Sequence, residues 1–139
     1  MTSFQSSSSL QGRQFADQCD LLLEGLGFAL QGRLLIRELG VEIDRVAASP
    51  RSRAVWFEYK GSVQGTRPGL RRTDTLKKAV ANGALLRAIR GHPPYIVLTS
   101  HKPTTGAGAA MLETAIRLGY LDDAICVYDP DDAGRLKRL

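Results

Sequence analysis

The sequence contains few cysteines and histidines and no long apolar run. Its two cysteines, Cys19 and Cys126, lie far apart and form no Cys-x-x-Cys pair, which excludes a zinc knuckle and a dense disulfide framework. No apolar stretch approaches the roughly 18 residues that a membrane-spanning helix needs, and the N-terminus does not resemble a signal peptide. We therefore expect a cytoplasmic, intracellular protein with no membrane partner.

Length and composition are those of one folded domain. The chain has 139 residues, of which 43% are hydrophobic and 24% charged, as in an average soluble domain. Residues 1–10 are rich in serine, which predicts a flexible arm before a single domain over residues 11–139. The net charge of +5 has two interpretations, a solvated basic surface or an attraction for phosphate groups.

The apolar periodicity predicts helices that alternate with short strands. The element order is α-β-β-β-α-β-α-β, which indicates an α/β fold with antiparallel middle strands and later strands joined by crossover helices. The predicted helices span 11–26, a segment that starts at Thr73 or Asp74 and ends before Gly91, and 109–118; the predicted strands span 28–36 with an interruption near Gly32, 41–47, 54–60, 95–99 and 124–128.

Two acidic residues and a lysine are predicted to meet on a hairpin. Side chains two apart share a strand face, so Glu58 and Lys60 lie together on the strand 54–60. The turn before this strand can bring Asp44 opposite them. Carboxylates at that distance repel each other unless a cation or a proton lies between them.

This arrangement suits phosphodiester hydrolysis. Mg²⁺, for which Mn²⁺ can substitute, prefers oxygen ligands such as one or two carboxylates with water and phosphate. Asp44 and Glu58 are the candidate metal ligands, and the Tyr59 carbonyl is a candidate third ligand. The metal lowers the pKa of a bound water, and Lys60 orients that water, deprotonates it or stabilises the developing charge.

Residues 41–47 (VEIDRVA) and 56–62 (WFEYKGS) resemble the motif of the PD-(D/E)xK, or restriction-endonuclease-like, nuclease superfamily. Ile43 replaces the proline of that motif. The resemblance covers roughly residues 11–100. It implies an αβββαβ core with a central mixed sheet flanked by helices, and a Mg²⁺-dependent DNA endonuclease that leaves a 5′-phosphate.

The resemblance also implies roles for both neighbouring helices. Small nucleases of this kind, such as Holliday-junction resolvases, donate an acid from helix one, for which Asp17 and Glu24 are the candidates. The loop before the second helix and its first turns are expected to contact the DNA backbone through Arg67, Arg71, Arg72, Lys77 and Lys78.

Several alternatives stay open. Glu and Lys pairs also occur on strands where they only stabilise each other. The chain can be a non-catalytic or partner-dependent nucleic-acid-binding module on the same fold, or a structure-specific resolvase of branched DNA. An RNA substrate is also open. If the enzyme cuts both strands of a duplex, a chain this small predicts a homodimer.

Overall fold

A mixed β-sheet of five strands forms the centre of the protein. The computed structural model describes residues 4–62 and 69–139, with residues 4–11 as backbone only. The strands are β1 (Ala29–Leu30), β2 (Leu34–Ile36), β3 (Val41–Ile43), β4 (Arg45–Ala48), β5 (Ala54–Lys60), β6 (Tyr95–Thr99) and β7 (Asp123–Cys126). The helices are α1 (Phe4–Gly25), α2 (Thr73–Leu86), α3 (Gly106–Arg117) and α4 (Pro130–Gly134), with 3₁₀ turns at Gly69–Arg71 and Arg135–Arg138.

The central sheet combines an antiparallel half and a parallel half. Its strand order is β1-β4-β5-β6-β7; β4 is antiparallel to both β1 and β5, whereas β5, β6 and β7 run parallel. Parallel neighbours need a crossover connection, and α2 and α3 provide the two crossovers. The predicted mixed α/β architecture, with antiparallel middle strands and crossover helices, is confirmed.

The core has two parts, one on each face of the sheet. All of β6 is buried, and its side chains alternate: Tyr95 and Val97 pack with α2 and α3, whereas Ile96 and Leu98 pack with α1. Alternation follows from the two-residue period of a strand. We call these two sides the α2–α3 face and the α1 face.

Helix α1 begins earlier than the sequence indicated. The prediction of a flexible arm over residues 1–10 is wrong from Phe4 onward, because the helix already starts there. Serine has intermediate helix propensity, and no proline interrupts residues 4–25. The serine run can therefore extend, toward the N-terminus, the helix that the apolar stripe predicts. Residues 1–3 lie outside the described residues.

The predicted strand 41–47 is divided at Asp44. Its first part, β3, pairs with β2 in a separate two-stranded sheet, and its second part, β4, joins the central sheet. The predicted interruption near Gly32 is confirmed, since β1 and β2 also belong to different sheets. Gly32 accepts a backbone hydrogen bond from Val46 at 3.0 Å. The chain thus bends at both places, and Asp44 lies at a bend.

Two smaller differences concern the start of α2 and an additional short helix, α4. The N-cap of α2 is Arg72, without a side-chain capping bond, instead of Thr73 or Asp74. Helix α4 was not predicted, although its sequence carries a helix-start signal: Asp129 accepts a hydrogen bond from the backbone N–H of Asp131, and Pro130 occupies the first turn.

Candidate active site

Antiparallel pairing places Asp44 beside the carboxyl end of β5. Arg45 is the partner of Phe57 in the β4–β5 register, so the next step outward brings Asp44 opposite Glu58. The backbone N–H of Tyr59 donates to Asp44 Oδ2 at 2.8 Å. This bond fixes the Asp44 carboxylate at the point where the chain bends away from the sheet.

Glu58 is a buried carboxyl group with a partner on each oxygen. Only 2% of the residue is exposed. The Tyr95 hydroxyl donates to Oε2 at 2.7 Å, and Lys60 Nζ lies 3.2 Å from Oε1. The structure therefore brings Asp44, Glu58 and Lys60 together at the end of β5, where Glu58 faces the α2–α3 side and Asp44 lies at the bend. Their chemical roles stay predictions.

The surroundings of Glu58 oppose its ionisation. The pKa of Glu58 is raised to about 7, mainly by burial and also by the hydrogen bonding and charge of Asp44, although Lys60 and Tyr95 act in the opposite direction. Near neutral pH the Glu58 carboxyl group is thus present in both its protonated and its ionised form. A cation placed between the two acids would favour the ionised form.

The donor set consists of two carboxylates. Within residues 4–62 and 69–139 there is no group of three or more His, Cys, Asp or Glu side chains that could hold a metal ion. Mg²⁺ needs no more than one or two carboxylates, because water and substrate phosphate complete its shell. Asp44 and Glu58 fit that requirement. The Tyr59 carbonyl as a third ligand stays a prediction.

Helix one approaches the hairpin through an acid that the sequence did not single out. Asp17 and Glu24 are both exposed, and Asp20, which shares their helix face, is the residue that makes contacts. It accepts from the Tyr59 hydroxyl at 2.6 Å and from two nitrogens of Arg45 at 3.0 and 2.7 Å.

These three bonds identify Asp20 as a structural anchor and not as a free ligand. Its two oxygens already accept hydrogen bonds from the guanidinium group of Arg45 and the hydroxyl of Tyr59. Arg45 also donates to the carbonyl of Gln31 at 2.7 Å. Asp20 therefore holds α1, β4 and the end of β5 in one arrangement, and its partner Arg45 is the residue next to Asp44 in the chain. The spacing of three and four residues from Asp17 and Glu24 is the sequence signal that could have identified it.

A cavity opens beside Asp44 on the α1 side. Its volume is about 490 Å³, within the range of small-molecule sites. Gly61 belongs to its wall and has no room for a side chain, since a Cβ atom there would lie 2.7 Å from the Phe15 ring. The residues around it include Gly12, Ala16, Gly32, Arg33, Asp44 and Gly61.

The basic residues of the second helix follow the site directly. The backbone N–H of Leu70 donates to Thr99 Oγ1 at 3.2 Å and to the carbonyl of His101 at 3.0 Å. Thr99 is the register partner of Lys60, so this anchor ties the start of α2 to the acidic site. Arg67 lies outside the described residues. The exposed basic residues beyond the anchor are Arg71, Arg72, Lys77 and Lys78.

No family model, no curated protein and no solved structure matches the chain. None of the helices within residues 4–62 and 69–139 is long and apolar enough to cross a membrane. The grounds for a function are therefore the chemistry and geometry of the site.

Proposed function

We propose that this chain is a metal-dependent endonuclease that hydrolyses phosphodiester bonds in DNA, on a restriction-endonuclease-like core. The observation that carries the proposal is the convergence of Asp44, buried Glu58 and Lys60 at the end of β5. The element order supports it as well, because one helix, an antiparallel hairpin, a second helix and a parallel strand follow in the order of that core.

Asp44 and Glu58 are the residues that would hold Mg²⁺ or Mn²⁺. Such an ion, when bound, lowers the pKa of a water molecule and neutralises charge on the phosphoryl group. The chain itself supplies two neighbouring carboxyl groups, and a cation between them would offset their mutual repulsion and favour the ionised form of Glu58. Lys60 contacts one oxygen of Glu58, the Tyr95 hydroxyl donates to its other oxygen, and the Tyr59 N–H donates to Asp44.

Lys60 is placed to act on the substrate. Its side chain is 24% exposed, whereas that of its partner Glu58 is 3% exposed. The ammonium group of Lys60 thus contacts a buried acid, and the lysine side chain is also partly open to solvent. In this position it can orient a water molecule or donate to the charge that develops on the phosphate.

Nucleic acid would contact the surface that begins at the Leu70 anchor. Arg71, Arg72, Lys77 and Lys78 are exposed there. Exposed arginine and lysine neutralise backbone phosphates without reading sequence. We therefore expect the affinity for nucleic acid to fall as the salt concentration rises. The same basic surface would hold a negatively charged substrate next to the acidic site.

A second candidate is a nucleic-acid-binding module without turnover. The observation that favours it is that the described acids near the site number only two, while the nearby acid of α1, Asp20, is already bound to Arg45 and Tyr59. A module of this kind would bind nucleic acid through the basic surface, and this binding would not change when Lys60 is substituted.

The test compares matched lysine variants on labelled DNA. Linear duplex, nicked, single-stranded and four-way-junction DNA, with a single-stranded RNA, are incubated with Mg²⁺ or Mn²⁺. We expect cleavage to fall by at least about 100-fold in Lys60→Met, as for loss of a general acid–base or electrostatic group. Lys137→Met, at an exposed position far along the chain, serves as the control and should cut like the native protein.

The same preparations separate the two candidates. Binding of each DNA is measured at several salt concentrations by fluorescence anisotropy. Cleavage lost only in Lys60→Met, with binding retained, supports the nuclease. If native protein binds DNA with a steep salt dependence and cuts none of the substrates, the binding module is the correct interpretation.

A further inference from the structure

Tyr95 carries a buried hydroxyl group that the proposed reaction does not use. Tyr95 is fully buried, with no exposed surface, at the start of β6, whose other residues are apolar or threonine. A buried hydroxyl is costly unless it is hydrogen-bonded. Tyr95 spends its only donor on Oε2 of Glu58, at 2.7 Å.

Asn82 lies on α2, close enough to the Tyr95 hydroxyl to lower its pKa against the raising effects of burial and of Glu58. Tyr95 therefore links α2 to the acidic site through its bond to Glu58.

The two oxygens of Glu58 are consequently different. Oε2 faces Tyr95 in the core, and Oε1 faces the partly exposed Lys60 at 3.2 Å. A carboxylate oxygen has more than one acceptor position, so Oε1 can accept from Lys60 and also hold a cation. Oε2 lies on the side of the fully buried Tyr95, which takes one of its acceptor positions, so a cation that enters from solvent beside Lys60 meets Oε1 first.

We propose that Tyr95 is a positioning residue that restricts Glu58 to one ligand oxygen and so selects for small divalent cations. This inference rests on the proposed function. Mg²⁺ takes six ligands in a strict octahedron, whereas Ca²⁺ takes six to eight and accepts carboxylates through both oxygens. A Glu58 held to one oxygen disfavours Ca²⁺ relative to Mg²⁺.

The test measures cation binding without DNA. Mn²⁺ is the probe, its free concentration is read from its electron paramagnetic resonance signal, and Mg²⁺ or Ca²⁺ is added as competitor. In Tyr95→Phe we expect the Mg²⁺ affinity to fall about 10- to 100-fold, the usual effect of removing a hydrogen bond to a metal-binding carboxylate. The Ca²⁺ affinity should fall less, since Oε2 becomes free, so that the preference for Mg²⁺ over Ca²⁺ decreases roughly tenfold.

Tyr128→Phe is the matched control. Tyr128 is 49% exposed, its hydroxyl contacts Gln18, and its loss should leave both affinities unchanged. Asn82→Ala gives a second variant that keeps Tyr95 in place, and it should shift the cation preference in the same direction by a smaller factor. If Tyr95→Phe does not fold, Asn82→Ala carries the test.

The outcomes distinguish this inference from the proposed function. If native protein binds Mn²⁺ and Glu58→Gln abolishes the binding, the metal site is present. An unchanged Mg²⁺ to Ca²⁺ ratio in Tyr95→Phe and Asn82→Ala then overturns only the role of Tyr95. Native protein that shows no saturable Mn²⁺ binding overturns the proposed metal site, and the inference falls with it.

Discussion

The raised pKa of Glu58 predicts a specific dependence of stability on pH. An ordinary glutamate in the unfolded chain has a pKa of 4.5, and burial with Asp44 nearby raises that of Glu58 to about 7 in the folded protein. The folded state therefore binds the proton more tightly than the unfolded state. By linkage, the resulting stabilisation is complete below pH 4.5 and is lost as the pH rises to about 7.

The size of this effect follows from the pKa difference. Each pH unit between the two pKa values corresponds to about 1.36 kcal/mol, so ionising Glu58 in the folded state costs about 3 kcal/mol. Glu58→Gln replaces the acid by a neutral group of the same shape that can still accept from Tyr95. At pH 8 we expect this variant to be more stable than native protein by up to about 3 kcal/mol, and at pH 4.5 to be similar.

Urea unfolding at several pH values measures this difference. The fluorescence of Trp56, the single tryptophan, reports unfolding, and EDTA removes divalent cations that would stabilise the ionised form. Glu113→Gln, on an exposed position of α3, is the control and should follow the native curve. The reasoning is refuted if native protein and Glu58→Gln lose the same free energy of unfolding between pH 5 and pH 8.

Two further predictions concern the support of the site. Asp20→Asn removes the charge that binds Arg45 through two nitrogens, and we expect a loss of about 2 kcal/mol, measured as a lower urea midpoint; Asp17→Asn, at an exposed acid of the same helix, should leave the midpoint unchanged. Gly61→Ala places a Cβ atom 2.7 Å from the Phe15 ring and should cost roughly 1–3 kcal/mol. The Cβ atom would also lie 2.8 Å from the backbone N of Ser100, so a wild-type midpoint for Gly61→Ala would contradict this expectation.

The convergence of the acids was predictable because it depends on local rules. Strand alternation places Glu58 and Lys60 on one face, and a short turn between β4 and β5 determines which residues are opposite each other. In the observed register Arg45 is opposite Phe57. Asp44 is therefore opposite Glu58, as the strand pattern predicted. Residues within about fifteen positions of each other were enough for this part of the site.

The partners of the acids were not predictable, because they come from distant parts of the chain. Tyr95 lies 37 positions from Glu58, and Asp20 lies 39 positions from Tyr59. In the sequence Tyr95 is one member of an apolar strand, and nothing local shows that its hydroxyl has an acidic partner. Asp20 likewise appears as one polar residue among several on a helix. Only the packing of α1 and β6 against β5 reveals both contacts.

The division of strand 41–47 at Asp44 connects the fold to the site. β5 pairs antiparallel with β4 and parallel with β6, so the end of β5 that carries Glu58 and Lys60 lies beside the start of β4 and the end of β6. If β4 continued through Asp44, its ladder would cover that end of β5. Because the chain bends there instead, the Asp44 carboxylate takes the Tyr59 N–H and the cavity opens beside it. Ligands of open α/β sheets commonly bind at the carboxyl ends of parallel strands, where the strand connections change direction, and in this chain the bend at Asp44 leaves that position accessible.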